Sequence, residues 1–77
     1  MLEVLILTPE RRLFQGRANS VIFPGEEGTF EVGPFHRPLV SRLLPGVIEV
    51  DQQVFPIRRG VMKVEKNTVV SIVETEP

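Results

Sequence analysis

His36 is the only histidine in this sequence, and histidine is the side chain that most readily exchanges a proton near neutral pH. Catalysis would also need a nucleophile and an orienting carboxylate, and the close candidates in sequence are Ser41 and Glu31. Both fall on predicted strands, and neither lies in a nucleophile elbow. The pattern therefore argues against catalysis. It leaves two interpretations of His36, a hydrogen bond within its own loop or contact with a partner.

A second polar cluster is the acidic turn Gly25-Glu26-Glu27-Gly28. Two adjacent carboxylates could bind calcium, but the oxygen-ligand spacing of an EF-hand is absent. The glycines do not form a phosphate loop either, because no Gly-Lys-Ser/Thr follows them. We expect no metal and no cofactor. The turn is either a solvated hairpin turn or an acidic tip that offers hydrogen-bond acceptors to a partner.

Composition narrows the class of protein further. The chain has 77 residues, nine basic and ten acidic side chains and no cysteine. A net charge of -1 argues against nucleic acid as a partner, because such proteins neutralise many phosphates. No apolar run approaches the ~20 residues of a membrane-spanning helix. The N-terminus lacks the features of a secretory signal. We therefore expect a cytoplasmic protein that meets a membrane only through a complex.

Seven prolines and six glycines divide the chain into short runs rich in Val, Ile, Leu and Phe. This rhythm predicts an all-β fold, a small two-sheet β-sandwich of about eight to ten short strands. Residues 1–77 should form a single domain, with a tail at 74–77 that frays. The predicted strands are 2–7, 13–15, 19–23, 29–32, 39–44, 47–50, 54–57, 61–65 and 68–73.

Alternation predicts which side chains face the core. Phe30 and Val32 should point inward and Thr29 and Glu31 outward, and Met62 and Val64 should share one face of their strand, opposite Lys63 and Glu65. The strand of Pro56 should lie at a sheet edge or a bulge, because proline cannot donate a hydrogen bond to a neighbouring strand. The last strand is apolar at almost every position, which predicts a place near the centre of a sheet. The five phenylalanines are assigned to the core.

In their order, these segments resemble the N-terminal β-sandwich domain of the epsilon subunit of F-type ATP synthases. The segments that resemble it span most of the chain: Leu13-Phe14-Gln15-Gly16, Gly25-Glu26-Glu27-Gly28, Pro34-Phe35-His36-Arg37-Pro38-Leu39, Pro45-Gly46 and Arg59-Gly60-Val61-Met62-Lys63-Val64. The third resembles the family's Pro-Gly-His-Ala-Pro-Leu loop. Their order and spacing are together more specific than any one of them.

The resemblance implies a non-catalytic rotor subunit that ties the gamma subunit to the polar loops of the membrane c-ring. On this basis Glu27, Gly28 and Thr29 should face the c-ring. Thr8, His36 and Ser41 should face gamma. The complex would place the protein peripherally on the cytoplasmic face of the plasma membrane, or of another energy-transducing membrane, where it would serve proton-driven ATP synthesis.

The sequence also departs from the family pattern. Phe35 and Arg37 stand where the family has small residues, and Glu31 stands where glycine is common. The family usually continues into an inhibitory helical hairpin, which this sequence is expected to lack. Two other functions stay open from the residues alone: a free-standing β-barrel module that binds RNA or a peptide, and an enzyme built on His36 and Ser41.

Overall fold

The computed structural model describes residues 1–76, which form nine strands in two sheets. The strands are β1 (Leu2–Leu7), β2 (Arg12–Ala18), β3 (Val21–Gly25), β4 (Gly28–Val32), β5 (Leu39–Leu43), β6 (Gly46–Val50), β7 (Gln53–Ile57), β8 (Arg59–Glu65) and β9 (Thr68–Glu74). The sheet orders are β2-β1-β9-β8-β5 and β4-β3-β6-β7. The predicted all-β sandwich is confirmed. No helix in the described part of the chain is long and apolar enough to cross a membrane.

Two strand placements follow the sequence argument. β9 lies at the centre of the five-stranded sheet, where it pairs antiparallel with β8 and parallel with β1. β7 lies at the edge of the four-stranded sheet, so Pro56 has a neighbouring strand on one side only. Both placements are as predicted. The parallel pairing of the first and last strands is a feature that alternation alone does not predict.

The core lies between the sheets and takes side chains from both. Met62, Val64 and Val32 are buried, and Phe30 packs half-buried against them, while Thr29 and Glu31 point to solvent. The inward and outward assignments are therefore confirmed. The buried apolar residues are Leu2, Val4, Ile6, Ala18, Val21, Phe23, Val32, Leu43, Ile48, Val50, Ile57, Met62, Val64, Val69 and Val73.

The third predicted strand, 19–23, is displaced in the structure. Asn19 and Ser20 form a bend, where both backbone N–H groups donate to the Asp51 carboxylate at 3.1 Å. β3 instead continues through Pro24 to Gly25, two residues beyond the predicted end at residue 23. Proline is tolerated there because pairing with β6 stops at Ile22, so no strand requires an N–H from Pro24.

Other boundaries differ more modestly. β2 extends from Arg12 to Ala18 because β1 pairs with it along its whole length. β5 ends at Leu43, one residue earlier than predicted. Glu74 is the last residue of β9, and its carbonyl accepts a hydrogen bond from the Arg58 N–H at 2.8 Å. Pro77 lies outside the described residues, and the single-domain assignment and the frayed tail at 74–77 stay predictions.

One polar side chain sits unpaired in the core. Ser71 is 1% exposed, and its Oγ has no hydrogen-bond partner among residues 1–76. It lies on β9 between Met62 of β8 and Ile6 of β1. A buried hydroxyl without a partner lowers stability because it has lost its bonds to water.

We expect Ser71→Ala to raise the free energy of unfolding by about 1 kcal/mol, because the substitution removes that unpaired hydroxyl. Urea unfolding followed by far-ultraviolet circular dichroism would measure the change. Ser41→Ala is the matched control, since Ser41 is only half-buried and its Oγ donates to the Arg42 carbonyl at 3.0 Å. A less stable Ser71→Ala protein would contradict the prediction.

Candidate docking surfaces

The acidic turn joins β3 to β4 at one end of the sandwich. Glu26 and Glu27 form a two-residue turn closed by Gly25 opposite Gly28, and Gly28 has a φ of 110° that glycine adopts without strain. Glu27, Gly28 and Thr29 are all exposed. An ion pair of 3.8 Å links Glu26 to Arg42, whereas Glu27 has none within residues 1–76. The Glu27 carboxylate is therefore available to a donor outside the chain.

The loop that carries His36 lies at the opposite end. The Phe35 N–H donates to Asn67 Oδ1 at 2.6 Å, which ties the loop to the turn between β8 and β9. His36 is half-buried, and its Nδ1 lies 2.8 Å from the Arg37 carbonyl. Because a carbonyl can only accept, Nδ1 is the donor. In the neutral ring, Nε2 is then left as an acceptor for a partner.

Thr8 and Ser41 are also engaged locally. The Thr8 hydroxyl accepts from the N–H groups of Glu10 at 3.2 Å and Arg11 at 3.0 Å, which shapes the turn after β1. Ser41 lies in the middle of β5, and its hydroxyl donates a hydrogen bond to the Arg42 carbonyl. Each hydroxyl thus has a role in its own segment, and a partner contact would add to that role.

The six predicted contact residues do not form one patch. β4 carries the chain from the acidic turn along the sandwich to the histidine loop, and β5 carries it back. The acidic turn and Thr8 therefore lie at one end and His36 at the other, on a molecule 34 Å long. Ser41 lies between them. Residues that are contiguous in sequence from 25 to 46 thus occupy two separate ends of the fold.

Between these residues lies an apolar surface that the sequence did not reveal. On the outward side of the five-stranded sheet, Val61, Ile72 and Leu7 stand opposite one another on three neighbouring strands. Ile72 is 50% exposed and Val40, on the edge strand, is 71% exposed. We call this surface the outer apolar face; its members are Leu5, Leu7, Val40, Val61, Val70 and Ile72.

The sequence showed β9 as almost continuously apolar, which is typical of a strand buried on both faces. The structure buries only one face, with Val69, Ser71 and Val73 inward and Val70 and Ile72 outward. Lys63 stands between Val40 and Val70 in the same row, so one charged side chain interrupts the outer apolar face. An exposed apolar patch of this kind commonly marks a contact with another protein. The apolar run of β9 was visible in the sequence. Its periodicity could not show whether the second face of β9 packs within this chain or against a partner.

Phe35 was also misassigned. It is 89% exposed at the tip of the histidine loop, so its assignment to the core was wrong. The other four phenylalanines do pack in or against the core. The physical reason is the loop conformation: Phe35 has a φ of 63°, and the hydrogen bond to Asn67 holds the backbone so that the ring points away from both sheets.

The arrangement offers little to catalysis. Within residues 1–76, no group of three or more His, Asp or Glu side chains is placed to hold a metal ion. The hydrogen bonds of His36 and Ser41 go to the carbonyls of Arg37 and Arg42. Neither side chain therefore orients the other for proton transfer. The polar groups and the outer apolar face are better suited to binding a protein.

The chain matches known proteins along nearly its whole length. Residues 1–75 match the family described as the ATP synthase, Delta/Epsilon chain, beta-sandwich domain. The ATP synthase epsilon chain of Nitratiruptor sp. is 44% identical over an alignment 78 residues long. The alignment covers 95% of this chain and 60% of that protein. The epsilon chain of Leptospira interrogans is 33% identical over 72 residues, covering 88% and 57%. This chain thus spans less than two thirds of the length of these relatives.

Solved structures share the fold. A chain in the Euglena gracilis mitochondrial ATP synthase structure of OSCP, F1 and c-ring superposes with a TM-score of 0.86 at 19% identity, covering 94% of this chain and 49% of that one. A chain in the Tetrahymena thermophila central stalk and c-ring structure gives 0.79 at 19% identity, covering 95% and 63%. Together with the family match over residues 1–75, these findings confirm the resemblance, and the chain belongs to the ATP synthase delta/epsilon-chain β-sandwich family.

Proposed function

We propose that this chain is a non-catalytic rotor subunit of an F-type ATP synthase, which links the gamma subunit to the c-ring. The family match and the relatives named epsilon chain support a place in that complex. One structural neighbour is a chain from a structure of a central stalk and c-ring, which supports a place on the rotor. The complex puts the chain at the cytoplasmic face of the energy-transducing membrane.

The gamma side of the proposal rests on the outer apolar face. Thr8 borders this face at the end of β1, whereas Ser41 of the edge strand β5 pairs with the buried Met62, so its side chain points to the inner side of the sheet. A partner that reaches both Thr8 and the loop of His36 must cross the apolar residues between them, and it reaches Ser41 only by passing over the edge of β5. Burial of those residues would supply most of the affinity, and the polar side chains would fix the register of the two proteins.

The c-ring side rests on the acidic turn. Glu27 presents a carboxylate that has no ion pair within residues 1–76, and Thr29 beside it is exposed. The turn belongs to the four-stranded sheet and lies at the end of the sandwich away from the histidine loop. A subunit that must touch gamma and the c-ring at once needs two separate contact regions. The outer apolar face and the acidic turn are two such regions, one apolar and one negatively charged.

A binding experiment with the cognate gamma subunit tests the proposal. We expect the purified chain to bind gamma in calorimetry, and its melting temperature to rise by about 10 °C or more at gamma concentrations near 100 times Kd. The rise follows because gamma binds the folded state only. The acidic turn is then tested by asking whether the gamma complex, rather than the free chain, is retained by purified c-ring.

An absence of heat and an unchanged melting temperature with gamma in excess would overturn the proposal. Retention of single-stranded RNA at physiological salt would favour the alternative of an RNA-binding module. The structure weighs against that alternative, because Arg58 and Arg59 pair with Glu76 and Glu74 at 3.6 and 3.1 Å.

A further inference from the structure

Phe35 is presented to solvent in an unusual way. Its side chain is 89% exposed, more than that of any other large apolar residue in the described part of the chain. Its φ of 63° lies in the left-handed region, which bulky side chains adopt only at a cost in conformational energy. The chain therefore accepts two unfavourable features at one residue, an exposed aromatic ring and a strained backbone.

The strained conformation is held by a dedicated contact. The Phe35 N–H donates to Asn67 Oδ1 at 2.6 Å. Asn67 is itself fixed in the turn between β8 and β9, where its φ is 63° and its carbonyl accepts from the Glu3 N–H at 2.8 Å. Prolines at 34 and 38 restrict the loop on both sides. The ring is thus carried by a stiff loop, which reduces the entropy lost when it binds.

The loop of Phe35 and the turn that holds it carry two cationic side chains, while the acidic Glu3 and Glu65 beside that turn are paired with Arg17 and Lys63. Arg37 follows two residues after Phe35, and Lys66 lies in the turn to which the loop is tied; both are exposed. Neither forms an ion pair within residues 1–76, whereas Lys63 pairs with Glu65 at 3.5 Å. A partner surface that receives the ring would therefore be favoured by carboxylates around its rim.

We propose that Phe35 is the anchor of the histidine loop: its ring enters an apolar pocket, rimmed by carboxylates, on the gamma subunit. This inference rests on the proposed function and adds a specific residue and a specific partner chemistry to it. Aromatic side chains that fill a partner's pocket commonly dominate the affinity of a protein interface. The strain and exposure of Phe35 in the free chain are then accounted for by the bound state.

The test compares Phe35→Gly, Phe35→Tyr and the wild-type chain. Glycine removes the ring and adopts the left-handed conformation freely, so Phe35→Gly should keep or raise the melting temperature of the free chain. It should also weaken gamma binding by about tenfold or more. Phe35→Tyr keeps the ring, so its Kd should stay within about threefold of wild type. Val54→Ala is the control, since Val54 is 58% exposed on the other sheet and should leave Kd unchanged.

The acidic rim is tested by kinetics. The double substitution Arg37→Gln and Lys66→Gln should slow association with gamma severalfold at low salt, and added salt should remove the difference. An association rate equal to that of wild type at low salt would overturn the acidic rim.

The outcomes separate this inference from the proposed function. If the wild-type chain fails to bind gamma, the proposed function is overturned and the anchor with it. If the wild-type chain binds gamma and Phe35→Gly binds equally well, the anchor alone is overturned. A melting temperature that falls on Phe35→Gly would also overturn it, because Phe35 would then be a structural residue.

Discussion

Gly60→Ala should lower the free energy of unfolding by about 3 kcal/mol or more, which would leave a domain of this size barely folded. Gly60 lies on β8, where a Cβ would come within 2.6 Å of the Ile72 carbonyl oxygen and 3.0 Å of the Val73 Cα. These are backbone atoms of β9, and β9 is held between β1 and β8. They cannot move aside without disturbing the centre of the five-stranded sheet.

Urea unfolding followed by circular dichroism would measure this effect, since the chain has no Trp or Tyr to report by fluorescence. Gly33→Ala is the matched control. A Cβ at Gly33 meets no atom within 4 Å, and its φ lies outside the left-handed region, so stability should change by only a few tenths of a kcal/mol. If the two alanine variants unfold at the same urea concentration, β8 and β9 do not approach each other as described.

Ile72→Lys should weaken binding to the gamma subunit by about 100-fold while the free chain keeps its fold. Ile72 is 50% exposed at the middle of the outer apolar face, so a lysine there can reach water in the free chain. In the proposed complex with gamma, the same ammonium group would be buried against an apolar partner. The loss of its hydration would oppose binding by about 3 kcal/mol.

Val54→Lys provides the comparison for this substitution. Val54 is 58% exposed on β7, at the outward side of the four-stranded sheet, and the same change of charge there should leave gamma affinity nearly unchanged. Calorimetry gives the two affinities, and thermal unfolding checks that both variants are folded. Equal affinities for the two lysine variants would show that gamma does not cover the outer apolar face.

The sequence predicted the features of the fold that depend only on neighbouring residues, such as strand alternation and turns. Strict alternation in β4 and β8 gave the correct inward side chains, because successive residues of a strand point to opposite faces. Pro56 indicated an edge strand because it lacks a donor. The break between the predicted strands 61–65 and 68–73 is the turn of Lys66 and Asn67, which have positive φ values of 51° and 63°.

The sequence failed where distant segments decide the outcome. Pro24 could continue β3 only because β6 diverges from it after Ile22. Phe35 is exposed because Asn67, far along the chain, holds its loop. Contacts of this kind are set by tertiary structure and leave no period in the sequence.

The parallel pairing of β1 with β9 has a consequence for the order of folding. Glu3 pairs with Thr68, and Leu7 pairs with Ile72, so two strands far apart in sequence meet at the middle of one sheet. Without β9, the five-stranded sheet would separate into the pair β2-β1 and the pair β8-β5. A chain leaving the ribosome therefore cannot complete this sheet until β9 has emerged. Such long-range closure is slow, and the early strands are exposed to association with other chains until it occurs.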